Sequence, residues 1–124
     1  MNALGTHLIV DLKECDSELL NNLAYVRSSM IEAAERVGAT VIDDTFHQFV
    51  PLGVTGVVAI AESHLTIHTW PEYGYAAVDI FTCGDTIAPR DAVRFLIKKL
   101  NARDSTITEL QRGLLSELPT TTHS

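Results

Sequence analysis

The sequence is short of basic charge. Its 9 Lys and Arg stand against 16 Asp and Glu, for a formal net charge of −7 and a pI of about 5.0. The one basic pair is Lys98-Lys99, so no cluster exists of the kind that neutralises phosphates, and nucleic acid is excluded as a partner. A negative field instead favours cationic small molecules. No apolar run approaches the roughly 18 residues that span a bilayer, so no membrane segment is expected. The start, Met-Asn-Ala-Leu-Gly-Thr-His, lacks a basic region followed by an apolar run, so no signal peptide is read. There are only 2 cysteines, Cys15 and Cys83; one bridge is arithmetically available, but two thiols make no disulfide framework. Repeats and internal linkers are absent too. What remains is a reduced, cytoplasmic protein of one domain. Its 124 residues, 46% apolar and 20% charged, have the composition of an ordinary globular fold rather than a disordered chain.

Periodicity gives the elements. Residues 6–12 read as a strand. Asp16 or Ser17 then caps a helix whose apolar stripe runs Leu19, Leu23, Val26, Met30, Ala33, Val37, and Gly38 ends it in a left-handed cap. Strands follow at 40–47, 56–61 and 64–70, with Glu62-Ser63 at the break between the last two. Pro71-Glu72-Tyr73-Gly74 is a turn and 75–83 another strand. A second helix opens near Pro89 and buries Val93, Leu96, Ile97 and Leu100. Residues 105–110 form a last strand, and the tail from Gly113 frays. Strand, helix, several strands, helix implies the α+β class: a two-layer α/β sandwich, a largely antiparallel sheet with helices on one face.

Strand alternation separates the faces. Leu65 and Ile67 point one way in 64–70; His64, Thr66, His68 and Trp70 point the other. In 75–83, Val78 and Ile80 oppose Asp79, Phe81 and Cys83. The helices cover the aliphatic face. The opposite face carries His68, Trp70, Asp79, Phe81 and Cys83, too apolar and too reactive a set for a plain solvated surface. A second subunit covers it, or a site is built there, or both.

Singly, these residues have plainer readings. Ser63 is a turn residue, His68 a structural histidine, Cys83 an inert buried thiol. His64 and His68 stand four apart, as metal ligands do on a helix, but the segment is a strand with no third ligand nearby, so no metal site is read. The combination carries more. The stretch AESHLTIHTWPEYGYAAVDIFTCGD, Ala61 to Asp85, closely resembles the self-processing region of the short prokaryotic S-adenosylmethionine decarboxylases. GTHLIVDLKECD (5–16) and TFHQFVPLGVTGVV (45–58) are similar to that family as well, so the likeness spans about residues 4 to 100.

The resemblance implies a proenzyme that cuts itself between Glu62 and Ser63, giving residues 1–62 (β chain) and 63–124 (α chain). The Ser63 hydroxyl attacks the Glu62 carbonyl, turning amide into ester. Elimination and hydrolysis then leave a covalent pyruvoyl group at residue 63 and release ammonia. His68 is implied as acid/base in processing, a task imidazole suits because it titrates near neutrality. Thr55 supplies a helping hydroxyl where the family often has Ser; the group is kept, at the cost of slower processing at worst. The pyruvoyl ketone forms a Schiff base with the substrate amine and withdraws electrons as carbon dioxide leaves, so no external cofactor motif is needed. Cys83 matches the proton donor of that step. Phe49 matches an aromatic that stacks on adenine, Glu72 a carboxylate for the ribose hydroxyls, and Trp70 and Leu65 line the pocket. The implied assembly is a homodimer of α/β protomers packed sheet to sheet, two α and two β chains. The implied product is the aminopropyl donor for spermidine and other polyamines.

Three other readings stand beside this one. The same pyruvoyl chemistry could act on arginine or ornithine. A paralogue that does not process itself could bind a ligand or a partner enzyme. A cysteine hydrolase using Cys83 and His68 would need a nucleophile turn around Cys83, and none is recognisable.

Overall fold

The computed structural model describes residues 3–84 and 87–115. Its elements are β1 (Gly5–Lys13), α1 (Ser17–Leu20), α2 (Leu23–Arg36), β2 (Val41–Gln48), β3 (Val54–Ile60), β4 (Ser63–Trp70), a 3₁₀ turn (Pro71–Tyr73), β5 (Tyr75–Cys83), α3 (Pro89–Lys99) and β6 (Asp104–Arg112). The six strands form one sheet in the order β2-β3-β4-β5-β1-β6, antiparallel at every step. Strand alternation sends Leu8, Val10, Leu12, Val58, Leu65, Ile67, Val78 and Ile80 to one face, where they are fully buried. There they meet Val26, Met30, Ala33 and Ala34 of α2 and Val93 and Leu96 of α3. Each such aliphatic side chain contributes about 1.5–3 kcal/mol, so this layer is the source of the fold's stability. The expected α+β sandwich, helices on one face only, is what forms. Val93, Leu96 and Leu100 are buried as expected, while Ile97 is half-buried against the same core. The expected frayed tail falls mostly on residues outside the described ones.

The first helix differs from its expected form. One helix from Asp16 to Val37 is in fact two. Asp16 caps α1, its carboxylate accepting from the Glu18 and Leu19 amides at 3.0 and 3.2 Å. Asn22 then caps α2, its side-chain oxygen accepting from the Tyr25 amide at 3.0 Å. Asparagine competes for backbone donors and so favours a cap over a helix interior, which the apolar stripe running through the break conceals. Gly38, at φ +84, closes α2 in the left-handed conformation.

On the helix side of β3, Gly56 lies across from Phe46 of β2. A Cβ at Gly56 would sit 2.0 to 2.7 Å from the Phe46 ring, which itself packs on the core. Gly56→Ala must therefore push the ring off its seat. Overpacking of this kind costs about 1–3 kcal/mol. We expect a melting temperature lower by about 5–15 °C in thermal unfolding followed by circular dichroism. An unchanged Tm would mean that Phe46 has room to move.

Candidate active site

Two clusters of reactive residues lie at opposite ends of β4. Cys83, Thr55 and His68 belong to the face that the helices leave open, while Ser63, at the first position of its strand, is in phase with Leu65 and Ile67. The first holds Ser63 and Cys83. Ser63 opens β4 after the two-residue turn Ala61-Glu62, and Cys83 closes β5 beside it. The Cys83 amide donates to Ser63 Oγ at 3.2 Å, so the hydroxyl lies at the end of the β4–β5 ladder, where a backbone carbonyl would otherwise accept. Glu62 sits at φ +62, a left-handed conformation that side chains other than glycine and asparagine rarely adopt. Of the two turn residues only the second has positive φ, whereas the hairpin turns that match strand twist need it at the first or at both. The Glu62–Ser63 peptide bond thus follows directly on a disfavoured conformation, of the kind that clusters at functional sites. Phe81 closes this end from the open face. Its ring stacks on His64 with centroids 5.8 Å apart and lies over Gly5, where a Cβ would come within 2.6 Å of it.

The second cluster is built around Thr55 and His68, which face each other across β3 and β4. Thr55 Oγ1 and His68 Nδ1 are 2.9 Å apart. They line a concavity of about 350 Å³ with Phe49 and Leu52 of the β2–β3 loop, Trp70 at the end of β4 and Glu72 of the 3₁₀ turn. Its frame is polar and was not anticipated. Asn21, at the break between α1 and α2, accepts through its side-chain oxygen from the Gly53 amide at 2.9 Å and from Gln48 Nε2 at 3.0 Å. The buried Thr69 hydroxyl donates to the Leu20 carbonyl and accepts from the Val54 amide, both at 2.9 Å. These bonds fix the loop that presents Phe49. The only hint in the sequence is the cap-forming Asn21-Asn22 pair.

Two expectations need correction. Leu65 does not line this concavity: it is 1% exposed on the helix-covered face, where the pleat sends every second residue with Ile67. Nor does the chain bring His68 to Ser63. Five residues of extended strand at about 3.3 Å each separate them by roughly 17 Å. The two cysteines are free and far apart in role. Cys15 is buried on the helix side, and burial pushes its thiol up to about 11, which leaves it a poor nucleophile. It borders the ends of β1 and α3 in another concavity, of about 660 Å³, that holds none of the residues of the two clusters. Among the described residues no group of three or more His, Cys, Asp or Glu side chains is placed to hold a metal ion. No helix among them is long and apolar enough to cross a membrane.

This constellation belongs to a chain whose residues 6–113 match the family model described as S-adenosylmethionine decarboxylase. The chain belongs to the S-adenosylmethionine decarboxylase family. Among its relatives, the S-adenosylmethionine decarboxylase proenzyme of Thermodesulfovibrio yellowstonii is 52% identical over 94% of this chain and 86% of its own length. That of Clostridium kluyveri is 50% identical over 95% and 94%. The crystal structure of the adenosylmethionine decarboxylase from Aquifex aeolicus superposes with a TM-score of 0.86 at 35% identity, covering 94% of this chain and 97% of that one. The fold alone is shared with a Trypanosoma brucei AdoMetDC monomer, TM-score 0.62 at 15% identity, of which this chain covers 44%. For a member of this decarboxylase family, the open face then has a clear character. It exposes Ile9, Val57, Trp70 and Leu110 at 39 to 42% each, alongside His7, Asp79 and Cys83.

Proposed function

We propose that this chain decarboxylates S-adenosylmethionine with a pyruvoyl group that it makes by cutting itself between Glu62 and Ser63. Decarboxylation of S-adenosylmethionine is the activity of the family, and the relatives are named as its proenzymes. The processing junction is our own reading. What carries it is the contact of Ser63 Oγ with the Cys83 amide, immediately after the left-handed Glu62. The residues fit such a group: a hydroxyl able to attack its own upstream carbonyl, at the open end of a strand, with a thiol-bearing residue next to it. Attack by Ser63 Oγ moves the Glu62 acyl group from nitrogen to oxygen. Removal of the Ser63 α-proton then expels Glu62 as a carboxylic acid, and water replaces the nitrogen, which leaves as ammonia. Once formed, the pyruvoyl group supplies the electron-withdrawing carbonyl through which a substrate amine loses carbon dioxide. Cys83 holds the proton that the substrate α-carbon then needs. Phe49 and Trp70 offer aromatic faces for adenine, and Glu72 offers a carboxylate for the ribose hydroxyls.

The working unit in this reading is a homodimer of cut protomers, open face on open face. An uncovered face with four large apolar side chains near 40% exposure supports it. So does the roughly 17 Å between Ser63 and His68, the length of five extended residues, which no motion of one strand closes. A two-fold axis lying between the sheets and crossing the strands reverses strand direction, so it sets the His68 end of one protomer over the Ser63 end of the other. Thr55, His68 and the nucleoside concavity then act on Ser63 and Cys83 of the partner subunit.

Intact mass under denaturing conditions tests the cut. We expect no 13.6 kDa species but two fragments, residues 1–62 and 63–124. Their masses should sum to about 1 Da above the uncut chain, because water is gained and ammonia lost; plain hydrolysis would add roughly 18 Da. An uncut chain after long incubation would overturn the reading.

A further inference from the structure

Trp70 forms one wall of the concavity, yet its own support lies outside it. Its ring stacks on Tyr75, the residue facing it across β4 and β5, with centroids 5.3 Å apart and planes 30° from parallel. Tyr75 in turn is tied down from β1: its hydroxyl donates to Asp11 Oδ1 at 2.6 Å. Neither Tyr75 nor Asp11 lines the concavity. An aromatic ring alone beside an indole at a sheet surface can slide or tilt, and a short bond to a carboxylate removes that freedom. The Asp11 bond, with burial adding to it, pushes the Tyr75 hydroxyl up to about 12, so it remains a donor at any working pH.

We propose that Asp11 and Tyr75 are positioning residues for substrate: the anchored Tyr75 ring holds Trp70 at the angle that completes the nucleoside concavity. This rests on the reading that the concavity takes the nucleoside. The contribution is to binding and not to chemistry, because neither residue reaches Ser63, Cys83 or the Thr55–His68 pair. Loss of the anchor should therefore raise KM and leave kcat and self-cleavage as they are.

The sequence has 1 tryptophan, so intrinsic fluorescence reports Trp70 alone. 5′-Methylthioadenosine, a nucleoside thioether without the amine and carboxylate, is the probe, since it binds without reacting. In the cut wild-type enzyme it should quench or shift Trp70 emission. Tyr75→Leu, which removes the stack, should raise KM for S-adenosylmethionine about 3- to 10-fold, the range expected for one aromatic pair. It should also change resting Trp70 emission and weaken the probe titration by a similar factor. Tyr75→Phe and Asp11→Ala keep the ring and lose the anchor, so they should give the same change in smaller measure, with kcat within about 2-fold of wild type. Asp11→Asn retains an acceptor and should restore most of the binding. If the wild-type emission ignores the probe, the concavity does not take the nucleoside and the proposal falls with that reading. If the probe is felt but the Tyr75 and Asp11 variants keep the wild-type KM, or lose kcat and not affinity, the concavity stands and the positioning role alone is wrong. Should Tyr75→Leu fail to fold, Tyr75→Phe and Asp11→Ala decide the matter by the same measurements.

Discussion

Ser63→Ala should leave the protein as one uncut, folded and inactive chain. Alanine has no nucleophile, so the Glu62–Ser63 bond has nothing to attack it and the covalent group never forms. The substitution is structurally mild. Ser63 is half-buried and gives up one hydrogen bond, as acceptor from the Cys83 amide. That loss is worth about 1 kcal/mol against the 5–15 kcal/mol of a typical domain. The core formed by Leu65, Ile67, Val78 and Ile80 begins two residues further on and is untouched. Activity, by contrast, has no remaining source. Carbon dioxide release from carboxyl-labelled S-adenosylmethionine should fall by more than about 10⁴-fold, since the accelerations that enzymes reach start near 10⁶. A mass spectrum, a melting curve and a release assay on one preparation check all three claims. A Ser63→Ala chain that still parts between residues 62 and 63, or that still releases carbon dioxide, would show that the reactive group comes from elsewhere.

Much of this architecture was legible in the chain. Strand alternation alone assigns Leu65 and Ile67 to one face and His68 and Trp70 to the other, because a period of two is a property of the backbone itself. What escaped the sequence depends on distances between elements. The break at Asn21-Asn22 is hidden because Leu19, Leu23 and Val26 keep their stripe through it, while the cap competes only locally. Its use, gripping Gly53 and Gln48 from 27 or more residues away, has no local signal at all. Leu65 shows two kinds of argument in conflict. The likeness to known decarboxylases pointed it at the pocket and the pleat pointed it at the core; within one protomer the pleat prevails. The separation of Ser63 from His68 is the clearest case. Five positions look close on paper, yet in an extended strand they are nearly the length of the strand apart. Tyr75 and Asp11 escaped for the opposite reason: they lie 64 positions apart and meet only because β1 pairs with β5.

That separation leads to the sharpest expectation about assembly. His68→Ala alone should slow self-cleavage by about 10²–10⁴, the usual worth of a general acid or base. Ser63→Ala alone should abolish it. If both groups served one site within a chain, mixing the two variants could rescue nothing. In the proposed two-fold dimer the outcome differs, because each site would be built across the interface. The Ser63→Ala chain brings an intact His68 and Thr55, which are 2.9 Å apart at the far end of its sheet. The His68→Ala chain brings an intact Ser63 and Cys83. A mixed dimer therefore holds one site with every group and one site lacking both Ser63 and His68. Co-expression with two different tags and sequential purification isolates that mixed species. In it the His68→Ala chain should be cut between residues 62 and 63 while the Ser63→Ala chain stays whole. Carbon dioxide release should recover to about half that of the wild-type dimer, one working site of two. Mass spectrometry distinguishes the two chains by their tags, so which one is cut is read directly. An uncut His68→Ala chain in the purified mixed dimer would mean that His68 acts on its own chain, and that β3 and β4 must rearrange to bring the two ends together.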